Sequence, residues 1–366
     1  MCCALCTFLS PAYAKKKGPQ AEILLFPASC SLTHCTIEGR LVRKRTWSSY
    51  QTKPSKKRAL YRAVKRFTRG GLSLATIELK LFGLKKTVRT NKRGFFEVRF
   101  AFTSAQQVAL RKPSFSKRLR MGWGLAKHKL SMKDTGRSIV YAQLVYAVGR
   151  FPWYRRYYAS QAIGIVTFPR SPRGISIISD IDDTLIATHV KKKGSLLKVF
   201  LFRRFDQIKV FPNALSFLRQ LQDNPKGTGG GTLHYVTGSP ARIFDRLIAL
   251  FKHRKFPVGS FHMKYLRGKK SYGLTKQRKY KEDHIKRILK RYPKRRFVLV
   301  GDSGEKDPEV YTRIKALFPK RILGIYIHIV SKEPASSQRF KQVYAFTSYK
   351  QAILHAQKHG LIKKRK

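Results

Sequence analysis

The chain has 366 residues, with 79 Lys and Arg against 18 Asp and Glu, a formal net charge of +61, and 42% apolar residues including 24 Phe and 17 Tyr. That apolar content excludes a disordered polycation, because it is enough for two domains with buried cores. The charge favours polyanionic partners such as nucleic acid, anionic membrane surfaces or phosphorylated substrates, yet the basic residues are spread along the whole chain, which is equally the pattern of a generally basic protein.

Met1 to Ala14 is apolar and cysteine-rich and ends in Ala12-Tyr13-Ala14 before Lys15-Lys16-Lys17. Small residues at those positions resemble a secretory cleavage site, although the basic start of a signal peptide is missing. The stretch 1–14 therefore predicts export to the periplasm or the exterior, with a cytoplasmic, membrane-peripheral location as the alternative. Cleavage would remove Cys2, Cys3 and Cys6. Cys30 and Cys35 would remain, close enough to form a disulfide in an oxidising compartment; a metal site with His34 is the weaker reading. No later stretch approaches the roughly 18 uninterrupted apolar residues of a membrane span.

Residues 15–59 form a basic N-terminal segment, of which 15–56 reads as a tether with one strand around 37–42. Arg58 to Phe67 carries apolar residues at helical spacing. Strand alternation follows over 77–82 and 95–102, with Asn91-Lys92-Arg93-Gly94 as the turn between them, and again over 139–148 and 162–168. Short strands without intervening helices predict a small β-sandwich over 60–168. From Gly174 the pattern changes. Apolar runs at 175–178, 233–236, 297–300 and 322–330 alternate with helical stretches at 213–221, 241–251, 282–292 and 308–318, and 348–361 closes the unit with Ser348 as its N-cap. Residues 174–362 thus predict an α/β domain, a parallel sheet with helices on both faces. Ligands of such sheets sit at the carboxyl ends of the strands, where Asp180, Thr237 and Asp302 fall.

Three of the 18 acids lie within Asp180-Ile181-Asp182-Asp183, and Asp302, Glu305, Asp307 and Glu309 form a second cluster. Carboxylates stacked at the end of a buried strand repel one another unless a cation or a reaction uses them. A calcium-binding EF-hand loop is excluded: it needs Gly and Glu where this chain has Leu185 and Lys191.

Asp180-x-Asp182-x-Thr184 resembles the first motif of the haloacid-dehalogenase superfamily. Tyr235-Val236-Thr237-Gly238-Ser239-Pro240 resembles the second, Lys281 with Ile285, Ile288 and Leu289 the third, and Gly301-Asp302-Ser303-Gly304-Glu305-Lys306-Asp307-Pro308-Glu309-Val310-Tyr311 the fourth. Over 174–330 the chain is similar to the actin-patch-protein family of Mg-dependent phosphatidate phosphatases, which has bacterial members. The likeness extends to 352–356 and 360–362, and residues 90–98 resemble the sandwich that often precedes that domain. Thr237-Gly238 departs from the family, which more often has Ser and a polar residue there.

The resemblance implies a Rossmannoid sheet and a phosphatase that converts phosphatidate to diacylglycerol through an aspartyl-phosphate. Asp180 would be the nucleophile. Asp182 would protonate the leaving oxygen and then activate water, with its backbone carbonyl on the metal. Mg²⁺ would be held by Asp180, Asp182, Asp302 and Asp307. Thr237 and Lys281 would donate to the phosphoryl oxygens, with Lys279 the rival for the lysine role, and Asp183 would be structural. The short intervals between motifs leave no room for a large lid, which suits a head group presented by an anionic membrane. Two alternatives stand beside this: a phosphatase of another phosphorylated substrate, and a basic polyanion-binding protein with a vestigial site, nucleic acid being bound only nonspecifically.

Overall fold

The structure, a computed structural model, describes residues 20–43, 70–81, 83–111, 139–144, 147–149, 157–159, 162–169, 171–188, 207–223, 231–264 and 277–363. The expected signal segment 1–14 and the expected helix at 58–67 lie outside them. The first unit contains β1 (Gln20–Leu25), β2 (Ala28–Ser29), β3 (His34–Arg43), β4 (Thr76–Leu81), β5 (Leu84–Arg89) and β6 (Phe95–Ala101). Helix α1 (Ser104–Arg111), β7 (Ile139–Leu144), β8 (Ala147–Gly149), β9 (Tyr157–Ala159) and β10 (Ala162–Thr167) complete it.

Of the segment expected as a tether, residues 20–43 are described, and they are folded. Residues 20–43 form three strands, β1 pairing antiparallel with β3 and β3 with β6. Ile23, Cys35, Ile37 and Leu41 are all buried, each contributing about 1.5–3 kcal/mol where a large apolar side chain is fully covered. On the opposite face of β3, Arg40 is only 3% exposed, its guanidinium lying 4.9 Å from the Phe95 ring centre. Cys30 and Cys35 are joined by a disulfide inside this core. The Asn91 turn forms as expected, its side-chain oxygen accepting the N–H groups of Arg93 and Phe95, with Gly94 at φ 78°. Among the described residues the strands hydrogen-bond into one continuous ten-stranded sheet rather than two separate ones.

The second unit runs β11 (Gly174–Ser179), α2 (Ala214–Gln222), β12 (Leu233–Pro240), α3 (Phe244–His253), β13 (Ser260–Lys264), α4 (Gln277–Arg291) and β14 (Arg295–Asp302). It continues with α5 (Asp307–Leu317), β15 (Ile322–His328), β16 (Tyr344–Phe346) and α6 (Tyr349–Lys358). Its six strands are all parallel, in the order β13-β12-β11-β14-β15-β16. The continuous apolar runs follow from burial on both faces. Phe217, Leu221, Leu247 and Ala352 pack on one face, from α2, α3 and α6; Ile285, Leu289 and Ile314 pack on the other, from α4 and α5. Strands β13 and β16 escaped the sequence reading because they are five and three residues long. Gln351 accepts the Ser348 N–H at 3.2 Å at the start of α6, and Gly360 (φ 66°) follows its end. No helix among the described residues is long and apolar enough to cross a membrane.

This topology positions the site. The chain leaves β11 for β12 and β13 on one side, then returns to β14 on the other, so the direction of winding switches between β11 and β14. A crevice opens at the carboxyl ends of the strands at such a switch point. The two units also touch: Tyr292 donates to the Ser29 hydroxyl at 2.8 Å, and the Phe26 and Phe244 rings lie 4.2 Å apart.

Candidate active site

Asp180 is carried into the crevice by β11 and stays on the ladder, its N–H donating to the Val300 carbonyl at 2.9 Å. The chain then turns tightly, with the N–H groups of Leu185 and Ile186 both donating to the Ile181 carbonyl. Asp183 shapes that turn. It sits at φ 51°, a left-handed conformation that Asp tolerates better than most residues, and its side chain accepts the Thr188 N–H at 2.8 Å. The turn brings the Thr184 hydroxyl to 3.3 Å from Asp180 Oδ2 and 3.4 Å from Asp302 Oδ2.

Asp302 ends β14, and the N–H groups of Gly304 and Glu305 donate to its Oδ1 at 2.7 and 3.2 Å. Gly301 has to be glycine: a Cβ there would lie 2.5 Å from Asp307 Oδ2. Asp180, Asp302 and Glu305 each offer an oxygen within 4.8 Å of the others. Asp307, in the first turn of α5, instead accepts the Asp302 N–H at 3.4 Å and pairs with Lys281 at 2.5 Å. Thus the three-carboxylate cluster contains Glu305, to which the sequence reading gave no role, and does not contain Asp307, which it placed on the metal. The turn residues Ser303 and Gly304 fold Glu305 back over Asp302, a geometry that spacing alone does not reveal.

Lys281, from α4, is 2% exposed and faces three carboxylates: Asp180 at 3.1 Å, Glu305 at 2.9 Å and Asp307 at 2.5 Å. Lys279, its rival in the sequence, is exposed on the same helix. Asp182 accepts the Thr237 hydroxyl at 2.9 Å and the Ser239 hydroxyl at 3.1 Å, while the Ser239 N–H donates to the Thr237 hydroxyl at 3.0 Å. Thr237 therefore serves Asp182 here. Ser239 was missed, although two residues along a strand return to the same face.

Burial raises Asp180 and Asp302 well above the usual carboxylate range, with Asp307 adding like-charge repulsion and Lys281 opposing it. Asp307 is raised too, first by burial and against the pull of Lys281. Asp182 is pushed up to about 7, first by burial and then by the Glu305 charge, with the Thr237 and Ser239 hydroxyls pulling the other way. For Lys281, burial acts downward, but the carboxylates around it outweigh burial and raise it. One lysine facing this many carboxylates leaves the site rich in negative charge. Asp180 Oδ1 and Asp182 Oδ1 are buried with no hydrogen-bond donor, the Lys281 ammonium near Asp180 being poorly aligned. An all-oxygen donor set of this kind fits a hard divalent cation such as Mg²⁺.

Residues 175–329 match the family model described as phosphatidate phosphatase APP1, catalytic domain. Phosphatidate phosphatase APP1 of Saccharomyces cerevisiae is 36% identical over 169 residues, covering 45% of this chain and 28% of that protein. An uncharacterized protein of Schizosaccharomyces pombe is 29% identical over 167 residues, covering 44% of this chain and 26% of that protein. The chain thus spans about a quarter of the length of the curated relatives it matches. Over residues 175–329, the chain is thus similar to the catalytic domain of phosphatidate phosphatase APP1.

Proposed function

We propose that the chain is a phosphoric monoester hydrolase acting through an aspartyl-phosphate, with phosphatidate as its substrate class and Mg²⁺ as its cofactor. The observation that carries this reading is the meeting of Asp180 and Asp182, from the turn after β11, with Lys281 of α4 and Asp302 of β14, at the switch point of a parallel sheet. The motif order and strand arrangement support a haloacid-dehalogenase-like class for residues 174–362. The ten-stranded sheet with its own core supports a sandwich-like domain before it, curled from one sheet and beginning near residue 20.

In the first step an Asp180 carboxylate oxygen attacks phosphorus and the ester P–O bond breaks. The departing oxygen takes the proton held by Asp182, whose raised pKa keeps it available near neutrality. In the second step water attacks the phosphoryl group and Asp182 takes its proton. The acyl–phosphate bond then breaks, releasing inorganic phosphate and restoring Asp180. Thr237 and Ser239 aim the Asp182 carboxyl throughout. Asp180, Asp302 and Glu305 would hold the cation, which when bound would neutralise charge between an anionic nucleophile and an anionic ester. Asp307 anchors Lys281 beside them.

The lipid assignment is supported by the name of the yeast relative and by the basic surface, which favours docking on anionic lipid. The buried Cys30–Cys35 disulfide supports an oxidising location and thus export. Phosphate release from phosphatidate in mixed micelles, measured beside a panel of soluble phosphomonoesters and beside Asp180→Asn, tests the reading. Preference for the micelles with loss in the variant is expected. Preference for the soluble panel would overturn the lipid claim.

A further inference from the structure

A stretch of chain outside any ladder leaves its backbone groups to find other partners. The turn after β14 is such a stretch, and it is the one that folds Glu305 back over Asp302. Its N–H groups at Gly304 and Glu305 go to Asp302 Oδ1, at 2.7 and 3.2 Å. The Ser303 and Glu305 carbonyls go to a single side chain. Arg339, from the short helical turn Gln338–Phe340, donates from Nη1 to the Ser303 carbonyl at 3.0 Å and from Nη2 to the Glu305 carbonyl at 2.7 Å. The same two nitrogens pair with Glu333 Oε2 at 2.8 Å and Glu309 Oε2 at 3.0 Å, so two carboxylates hold the fork in place. The Ser303 hydroxyl in turn accepts the N–H groups of Val330 and Ser331 at 3.0 and 3.2 Å. The turn is thus pinned from the segment 330–339, which lies beyond the 175–329 match.

What this turn presents belongs to the candidate site. Glu305 offers an oxygen within 4.8 Å of those of Asp180 and Asp302, and its Oε2 takes the Lys281 ammonium at 2.9 Å. The geometry points to Arg339 as a positioning residue: its fork fixes the turn so that the Glu305 carboxylate completes the cluster, and thereby sets the affinity for the divalent cation. This assignment rests on the Mg²⁺-dependent hydrolase reading. Arg339 acts through the turn's backbone, since its donors meet the Ser303 and Glu305 carbonyls. A guanidinium suits that task because its planar fork places paired N–H groups on two acceptors at once, which a compact ammonium cannot do. Groups that hold a metal ligand from outside typically change metal affinity by about 10- to 100-fold when removed.

The test is Mn²⁺ binding to the full chain, followed by electron paramagnetic resonance, in wild type, Arg339→Met, Glu305→Gln and the double variant. Arg339→Met should weaken Mn²⁺ binding about tenfold. The Mg²⁺ concentration for half-maximal phosphate release should rise by a similar factor, with kcat at saturating Mg²⁺ within about threefold of wild type. In the Glu305→Gln background the same substitution should cost less than about twofold, because the group it positions is already gone. An equal loss in both backgrounds overturns the proposal, as does wild-type Mn²⁺ affinity in Arg339→Met. If Arg339→Met does not fold, Arg339→Lys decides. It keeps the charge without the fork, so Mn²⁺ should bind about threefold or more weakly, and wild-type affinity overturns the proposal. Amide exchange of a peptide over 302–306 in the metal-free protein should run about tenfold faster in either variant, and unchanged exchange also overturns it. A wild-type chain that binds no Mn²⁺ would sink the cation reading, and the exchange rate would then decide alone whether Arg339 holds the turn.

Discussion

Two buried charged clusters lie at opposite ends of the same parallel sheet, and they are built on opposite plans. At the amino end, Arg295 is 2% exposed and its fork is matched by neighbours: Nε donates to Ser176 Oγ at 2.7 Å, Nη1 to the carbonyls of Ser171 and Arg173 at 2.6 and 2.7 Å, and Nη2 to Ile175 at 2.6 Å. Burial lowers it only to about 10, so it stays charged. At the carboxyl end, Asp180 and Asp182 each keep a buried oxygen without a donor, and burial pushes both upward. A polar cluster that satisfies itself is structural. One that leaves atoms unmatched is arranged for something that arrives later.

Breaking the two clusters should therefore have opposite effects. Asp180→Asn should cost at least about 10³-fold in turnover, the scale of losing a covalent step. It should also leave the metal-free thermal midpoint unchanged or raised, because burial penalises the Asp180 carboxylate more than the Lys281 ammonium favours it. A fall of several degrees would mean that Asp180 is a structural ion pair. Arg295→Met should do the reverse. Stranding the carbonyls of Ser171, Arg173 and Ile175 should cost about 3 kcal/mol or more in a urea titration, with kcat of the folded fraction within about threefold of wild type. A neutral Arg295→Met would erase the contrast.

The pH profile sharpens it further. Asp182 is pushed up to about 7, and in the first step it must carry a proton. With a substrate whose leaving group needs that proton, kcat/KM should fall about tenfold per pH unit above about 7, as the proton is lost. Asp182→Asn should lack this limb. Retention of the limb in that variant would assign it to another group. The smallest effect belongs to Lys279→Met, which should change kcat and KM by less than about twofold, since this lysine is exposed and outside the site.

What the sequence made legible follows from the range of the interactions involved. The α/β unit could be read from runs such as Ile175–Ile178, because burial on both faces of a parallel sheet imposes uninterrupted apolar stretches. Asp180, Asp182 and Asp302 could be read because acids are scarce and these cluster at the ends of β11 and β14. That Glu305 clusters with Asp180 and Asp302 while Asp307 pairs with Lys281 could not be read. It depends on whether Lys281 pairs with the first turn of α5 and on how the turn after β14 folds back, both long-range choices. In the first unit, β3 was legible as the strand around 37–42, whereas β1, Gln20–Leu25, was not.

The most direct test of the central claim traps the covalent intermediate. With a phosphomonoester whose leaving group needs no proton, Asp182→Asn keeps the nucleophile but lacks the base for the second step, so the phospho-enzyme should accumulate. Rapid quench and intact mass in the presence of Mg²⁺ should show one added phosphate on Asp182→Asn, mapped to Asp180, and none on Asp180→Asn. Near-normal turnover by Asp180→Asn, or a phosphate mapped to any other residue, would contradict the account.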